Sequence, residues 1–374
     1  MLDFKANGVT LDDVYVTWDE IGVGVGGLWA WGNNGYGRLG NSSYLKQSSP
    51  VQVGSLTNWT EAAGGDHHSI ARRVNGTLWA WGRNNYGQIG NGTTTNNFSP
   101  VQVGSLTNWA AVACGKYHSL ACKADGSLWT WGRNDFSQLG DGTTTHRSSP
   151  VQVGSLTNWA AVAGGWYHSI ARKTDGTLWT WGRNNYGQLG DGTTTFRSSP
   201  VQVGTLTNWT DVACGWGHSL SVKTDGTLWA WGYNGNSELG DGTQVHRSSP
   251  VQVSSSGWVG VACGQNFTIA HKTTGTLWSW GSGGNGALGN GSTTNRSFPT
   301  QIGSLTNWVD ITCGTSHVVA YKSDGTLWSW GSNSNGQLGD GTITNKSSPV
   351  QVGTLTTWNG GACGYEHTLA IQSI

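Results

Sequence analysis

The side chains with chemistry to offer recur at one spacing. Histidine returns about every fifty residues, at His68, His118, His168, His218, His317 and His367, with Phe267 in the seventh copy of the position. Six imidazoles on a ring could bind a metal ion or switch with pH. A position that also takes phenylalanine is satisfied by packing, so these read as core histidines. Cys114, Cys214, Cys263, Cys313 and Cys363 share another position, held by Gly64 and Gly164 in the remaining copies. Such a site is small and buried, and equivalent points on a ring do not meet at disulfide distance. No CxxC pair or His-Cys spacing suggests a metal framework.

The acidic residues follow the same logic. Asp125, Asp175, Asp225 and Asp324 precede glycine in turn sequences, while Asp141, Asp191, Asp241 and Asp340 repeat within a Leu-Gly-Asp-Gly-Thr loop. There is no HExxH, nucleophile elbow or phosphate loop. Gly22, Gly24 and Gly27 match a dinucleotide fingerprint by spacing alone, because a Trp-rich strand follows where a helix should open. The expectation is a protein that is not an enzyme, with no cofactor and no metal. An enzyme using a carboxylate such as Asp66 or Glu366 is kept as an alternative.

Chemistry that is not shared by every copy is more informative. The two residues before the histidine position read Asp66-His67, Lys116-Tyr117, Trp166-Tyr167, Trp216-Gly217, Gln265-Asn266, Thr315-Ser316 and Tyr365-Glu366, while the flanking stretches barely change. Free drift would favour small polar residues, whereas Tyr117, Trp166, Tyr167 and Trp216 cluster in neighbouring copies. Tyr36, Tyr86, Phe136 and Tyr186, in a second loop of the repeat, are expected on the same side. Large aromatics among polar neighbours, held on a rigid scaffold, are expected to bind a protein loop or a glycan.

The elements that must position these residues are organised around Gly-Thr-Leu-Trp-Ala-Trp-Gly at Gly76 to Gly82, which recurs seven times from Gly27 onward. Side-chain alternation puts Trp79 and Trp81 on one face and Leu78 and Ala80 on the other, giving a strand buried on both sides. One unit reads as four strands: Trp109 to Gly115, His118 to Cys122, Leu128 to Gly132 after an Asp-Gly hairpin, and Pro150 to Val153. The small residues suit the strand nearest an axis, and proline is tolerated opening a fourth, outer strand. The period is 50 residues and falls to 49 once, at Ser254-Ser-Ser-Gly257. A chain of 374 residues exceeds what one ordinary core supports, and radial repetition resolves this by adding blades instead of thickness.

The ends predict the closure. The chain enters at a third strand and stops after a first and a second, so seven four-stranded blades require the C-terminal pair to complete the N-terminal blade. The fold class is therefore an all-β, seven-bladed β-propeller over residues 27–374. Residues 1–26 form an arm outside the repeat, with Phe4, Leu11, Val14, Tyr15 and Trp18 as candidate docking residues. Charged residues are 11% against a usual figure of about 25%, and the 20 basic and 20 acidic side chains cancel. No basic stripe offers a footprint for nucleic acid. No segment approaches the roughly 18 apolar residues of a membrane span, and the first residues lack the order of a signal peptide.

Gly-x-x-His-Ser-Leu-Ala followed by Asp-Gly-Thr-Leu-Trp-x-Trp-Gly-x-Asn-x-x-Gly-Gln-Leu-Gly resembles the regulator-of-chromosome-condensation repeat. The resemblance covers residues 27–374 and implies the seven-bladed count and the split-blade closure. Members of that family include a nucleotide-exchange factor that binds chromatin and bacterial propellers that inhibit beta-lactamases through aromatic-lined loops. A wedge-like insertion and a basic tail are absent here, which speaks against the exchange-factor role. The stretch Phe4 to Tyr15 looks like openings of bacteriophage structural proteins. The combined expectation is a virion decoration or appendage protein, docked to other virion or scaffold proteins through residues 1–26 and located on the virion surface. A soluble inhibitor or adaptor, secreted by a non-classical route or cytoplasmic, is the alternative.

Overall fold

The computed structural model describes residues 25–373, which form seven four-stranded antiparallel blades around a central channel. The third blade shows the plan. Its strands are Trp109–Cys114, His118–Lys123, Leu128–Gly132 and Arg147–Gln152, running outward from the axis in chain order. Asp125 closes the second hairpin by accepting from the amide and the hydroxyl of Ser127, at 2.9 and 2.6 Å, while Gly126 takes φ 76°. The repeated aspartates at 141, 191, 241 and 340 hold their loops in the same manner, each accepting from the threonine two residues on. They are fold residues.

The third strand is buried on both faces, as alternation requires. Leu78 and Ala80 pack toward Trp109 and Trp131 of the next blade, whereas Trp79 and Trp81 meet Trp59 of their own blade edge-on. Such aromatic pairs add roughly 0.5–1.5 kcal/mol each beyond the area they bury. Trp79 is only half-buried, and its equivalents Trp129, Trp179 and Trp229 are covered by lysine ammonium groups 3.6–3.7 Å from the ring centroid.

The termini share the first blade. Gly26–Gly32 pairs along its whole length with His367–Ser373 and, on the other side, with Gln47–Gln52, and Trp358–Cys363 completes the sheet at the axis. This is the closure expected from the sequence. The first strand begins at Gly26, one residue inside the stretch expected to stand apart from the repeat. The docking candidates Phe4, Leu11, Val14, Tyr15 and Trp18 lie outside the described residues.

The prolines do not open the fourth strands. Arg147–Gln152 begins three residues before Pro150, and the register breaks between Arg147 and Val151. Proline thus occupies a bulge on the outermost strand, where the missing amide breaks no ladder bond.

Neighbouring blades are joined by a recurrent network. Trp131 Nε1 donates to the backbone carbonyl of Gln88 in the preceding blade, at 2.9 Å. The Ser119 hydroxyl donates to the same carbonyl at 2.9 Å and contacts His68 Nε2 at 3.0 Å. Indole donation recurs at every junction, from Trp31, Trp81, Trp181, Trp231, Trp280 and Trp330. Two glycines make room: a methyl on Gly90 would sit 2.6 Å from Trp131 Nε1, and one on Gly115 would sit 2.0 Å from His118 Cε1. Burial pushes His68, His118, His168, His218 and His317 down to about 3, so these imidazoles are neutral. The sixth and seventh blades supply a control. Phe267 replaces the histidine, and Val318 stands where the hydroxyl would be, so both halves of the pair are apolar together.

Ser169→Val should strand His118 Nε2, bonded at 2.9 Å, and cost about 1–3 kcal/mol in urea unfolding. Adding His118→Phe, which reproduces the Phe267–Val318 pair, should recover much of that loss. The imidazole value is depressed in the fold, so the unfolded chain takes up the extra proton and stability falls as pH drops from about 6.5 toward 3. The double variant should lose less stability over that window than the parent. Additive costs with an unchanged acid limb would show that the pair is not coupled.

Candidate functional site

The loops from first to second strand and from third to fourth strand emerge on one face, called upper here, and their variable residues meet. Six of the seven third-to-fourth loops are each held by one buried asparagine, with Gly283 at that position in the sixth blade. In the second blade Asn84 Nδ2 donates to the carbonyls of Thr93 and Thr95, and its Oδ1 accepts from Ile89 N. With the loop fixed internally, the side chains at its start are free to vary.

From the first blade to the fifth these side chains form a continuous arc. Tyr365 lies 6.0 Å from His67, and His67 lies 5.0 Å from Tyr36 and 6.1 Å from Tyr117. Tyr86 contacts Tyr117 at 5.7 Å and Phe136 contacts Tyr167 at 4.9 Å. Trp166 bridges Tyr167 and Trp216, and Trp216 continues to Tyr186 at 5.4 Å. All of these residues therefore share one surface, as the spacing predicted. They are half-buried against one another, not freely exposed. Asp66, Lys116, Trp166 and Tyr365 also border the mouth of the axial channel.

Residues that the sequence reading passed over complete the arc. The position after Trp-x-Trp-Gly reads Asn33, Arg83, Arg133, Arg183, Tyr233, Ser282 and Ser332. Arg83 lies over Tyr36 and Tyr117 at 5.0 and 5.7 Å; Arg183 lies over Phe136 and Tyr167 at 5.2 and 5.6 Å. Arg133 reaches Tyr86 at 5.0 Å and pairs with Asp135, and Tyr233 packs against Tyr186 and Trp216 at 4.9 Å. Guanidinium groups thus alternate with rings over the second, third and fourth blades. The signal was present as another departure from the repeat. Above the sixth and seventh blades the same positions are Gln265, Asn266, Ser282, Thr315, Ser316 and Ser332. The upper face is therefore two-sided.

Burial governs the charges at the mouth. Asp66 is raised by desolvation, opposed by the nearby Lys116 and by a hydrogen bond from Tyr117. His67 is pushed down to about 3 by burial and by the positive charges of Arg38 and Arg83, so its 3.4 Å approach to Asp66 is not an ion pair at neutral pH. Lys116 Nζ sits 3.5 Å from the centroid of Trp166. Arg38, 2% exposed, donates to the Asp66 carbonyl at 3.1 Å and stands where four other copies carry Gln88, Gln138, Gln188 and Gln337. Glu366 accepts from Asn33 Nδ2 at 2.9 Å. Among the described residues no group of histidine, cysteine or carboxylate side chains is placed to hold a metal ion. The ring cysteines are free thiols, held above their ordinary values by burial.

A closed ring of repeats whose variable side chains gather on one face defines a repeat propeller with a candidate recognition surface. The regulator of chromosome condensation (RCC1) repeat profile matches seven times, at residues 25–72, 75–122, 125–172, 175–222, 225–271, 274–321 and 324–371, and the chain belongs to that family. No curated protein matches it by sequence. Among solved structures, human WBSCR16 is similar at 23% identity and TM-score 0.84, over 93% of this chain and 99% of that one. Prp20p from Saccharomyces cerevisiae, described with its binding to Gsp1p and histones, is similar at 19% identity and TM-score 0.83, over 94% of this chain and 92% of that one. Yeast RCC1 (Prp20) in complex with Kap60 aligns at 17% identity and TM-score 0.84, over 100% and 97%. At these identities the likeness shows the fold alone. No helix among the described residues is long and apolar enough to cross a membrane.

The assignment of charge at the mouth is testable on His67. Arg83→Ala removes one of the cations that depress it, so the imidazole should titrate at higher pH than in the parent when followed by NMR. An unmoved midpoint would mean that Arg83 does not contribute to the depression.

Proposed function

We propose that this propeller is a non-enzymatic interaction protein that grips a protein partner with the aromatic and arginine arc above its first five blades. The observation that carries this reading is the asymmetry of the upper face. The scaffold repeats seven times, yet rings and guanidinium groups are confined to one contiguous side while the other carries small polar residues. Tryptophan, tyrosine and arginine are the side chains that concentrate binding energy at protein interfaces. Being stacked already, they lose little freedom when a partner docks. The fold relatives add support, since Prp20p is described as binding Gsp1p and histones. A glycan stacked on Trp166 and Trp216 is the other ligand of the same face. The enzymatic alternative has less behind it, because Asp66 is buried under Tyr117 and Glu366 is engaged by Asn33.

The narrower reading, a bacteriophage virion protein anchored by residues 1–26, has only the short likeness of Phe4 to Tyr15 behind it. Deleting residues 1–25 should leave thermal unfolding unchanged while abolishing attachment to particles, and a truncated propeller that still co-sediments with them would end this reading. For the face itself, a partner captured from the source extract should bind Trp166→Ala/Trp216→Ala more weakly by about 2–4 kcal/mol. Ser282→Ala/Ser332→Ala should bind as the parent does. Equal affinity for the tryptophan variant in calorimetry would remove the arc from the interface.

A further inference from the structure

The lower face, opposite the arc, carries a second set of departures from the repeat, and they converge on one cavity. Connections from a fourth strand to the next first strand have five residues, such as 204–208 between Val203 and Trp209. The connection from the fifth to the sixth blade has four, 254–257 between Val253 and Trp258. The longer connection normally covers the hairpin turn of the blade it leaves. A methyl built on Gly176 would lie 2.1 Å from the Thr207 carbonyl oxygen, whereas at Gly226 the nearest atom is Gly257 N at 2.9 Å. Where the chain is shortened, a cavity of about 340 Å³ opens from the axial channel to the gap beside Gly226 and Gly257.

Its wall is apolar with charge of mostly one sign. Ala161, Val162, Val212 and Val259 line it, together with Glu61 and Asp211. These two acids occupy the third residue of the first strand, which elsewhere is Ala111, Ala161, Gly260, Asp310 and Gly360. Glu61 is balanced by Arg72 at 2.9 Å. Asp211 accepts from the amides of Val212 and of Val261 in the next blade, both at 2.9 Å, and these two bonds fix the orientation of its carboxylate. The lysine on the wall, Lys223, is turned to its own ring, 3.6 Å from the centroid of Trp229. Asp310 illustrates the field in the channel: burial lifts it to about 7, and the charge of Asp211 adds to the effect.

We propose that this cavity is a binding site for a small amphiphilic cation, a primary ammonium on a hydrocarbon or aryl body, with Asp211 as its counter-ion. The apolar wall takes the body of the ligand, and the oriented carboxylate distinguishes an ammonium from a neutral or anionic head of the same shape. The site is on the face away from the aromatic arc and does not depend on what that arc binds.

Calorimetry with 4-phenylbutylammonium, 4-phenylbutanol and 4-phenylbutyrate tests it. The ammonium should bind saturably with at least about tenfold preference over the alcohol, and the carboxylate should not bind. Asp211→Asn should bring the ammonium down to the level of the alcohol. Replacing residues 254–257 by Gly-Thr-Leu-Thr-Asn, the chain's own sequence at 204–208, should close the entrance and remove binding of both; it also carries the test if Asp211→Asn does not fold. The proposal is overturned if the parent does not bind the ammonium, if the alcohol binds as well, or if neither variant changes the affinity.

Discussion

One backbone carbonyl per blade holds this ring together. The carbonyl of Gln88 takes an indole N–H from Trp131 and a hydroxyl from Ser119, and that hydroxyl also meets His68. Both of its lone pairs are used in a fully buried place, where an unmet polar group would cost several times what a met one contributes. The requirement explains residues that otherwise look unrelated. Tryptophan supplies a large apolar body with one donor, glycine at 90 leaves room for it, and glycine at 115 leaves room for the histidine. Phe267 and Val318 show the alternative solution, in which both partners of the histidine contact become apolar and only the indole of Trp330 remains on the Ala287 carbonyl.

A junction satisfied in this way makes each blade's position depend on its neighbours and not on its loops. The closing sheet obeys the same rule, for Ser69 and Trp81 meet the Arg38 carbonyl while His367 contacts Ser69. Arg38 could therefore replace the usual glutamine, because the junction uses its backbone and leaves its side chain to reach Asp66. The same freedom lets residues 83, 133 and 183 become arginine without disturbing the strands they follow. Side chains above the scaffold are selected by what they meet, and the scaffold keeps them pre-stacked.

Much of the fold could be read from the sequence because a repeat states each structural demand seven times. Trp-x-Trp-Gly, the Asp-Gly turns and the position of the two chain ends specified four strands per blade and a ring closed within one sheet. Two features were not legible. The fourth strand starts before its proline because a bulge on an outer edge leaves no mark in residue type, and the half-burial of the upper aromatics depends on which rings from adjacent blades reach each other. Arg83, Arg133 and Arg183 were visible as a variable position, but arginine on a loop looks like ordinary solvated charge until Tyr36, Tyr117, Phe136 and Tyr167 are seen around it. Tyr233 was missed for the opposite reason, as its blade carries Asn236 where others carry the aromatic.

The departures from the repeat sort by face. Above, rings and guanidinium groups replace small polar residues over five blades and leave two blades plain; below, one missing residue opens a cavity between the fifth and sixth blades, lined by Asp211 of the fifth and Glu61 of the second. Neither change touches the carbonyl network, and neither is required for closure, since blades lacking them close equally well. In a ring of near-identical units the shared residues answer to folding, so a residue that differs in one copy without weakening a junction has been freed from that demand. The arc and the cavity are the two places where such freed residues lie side by side.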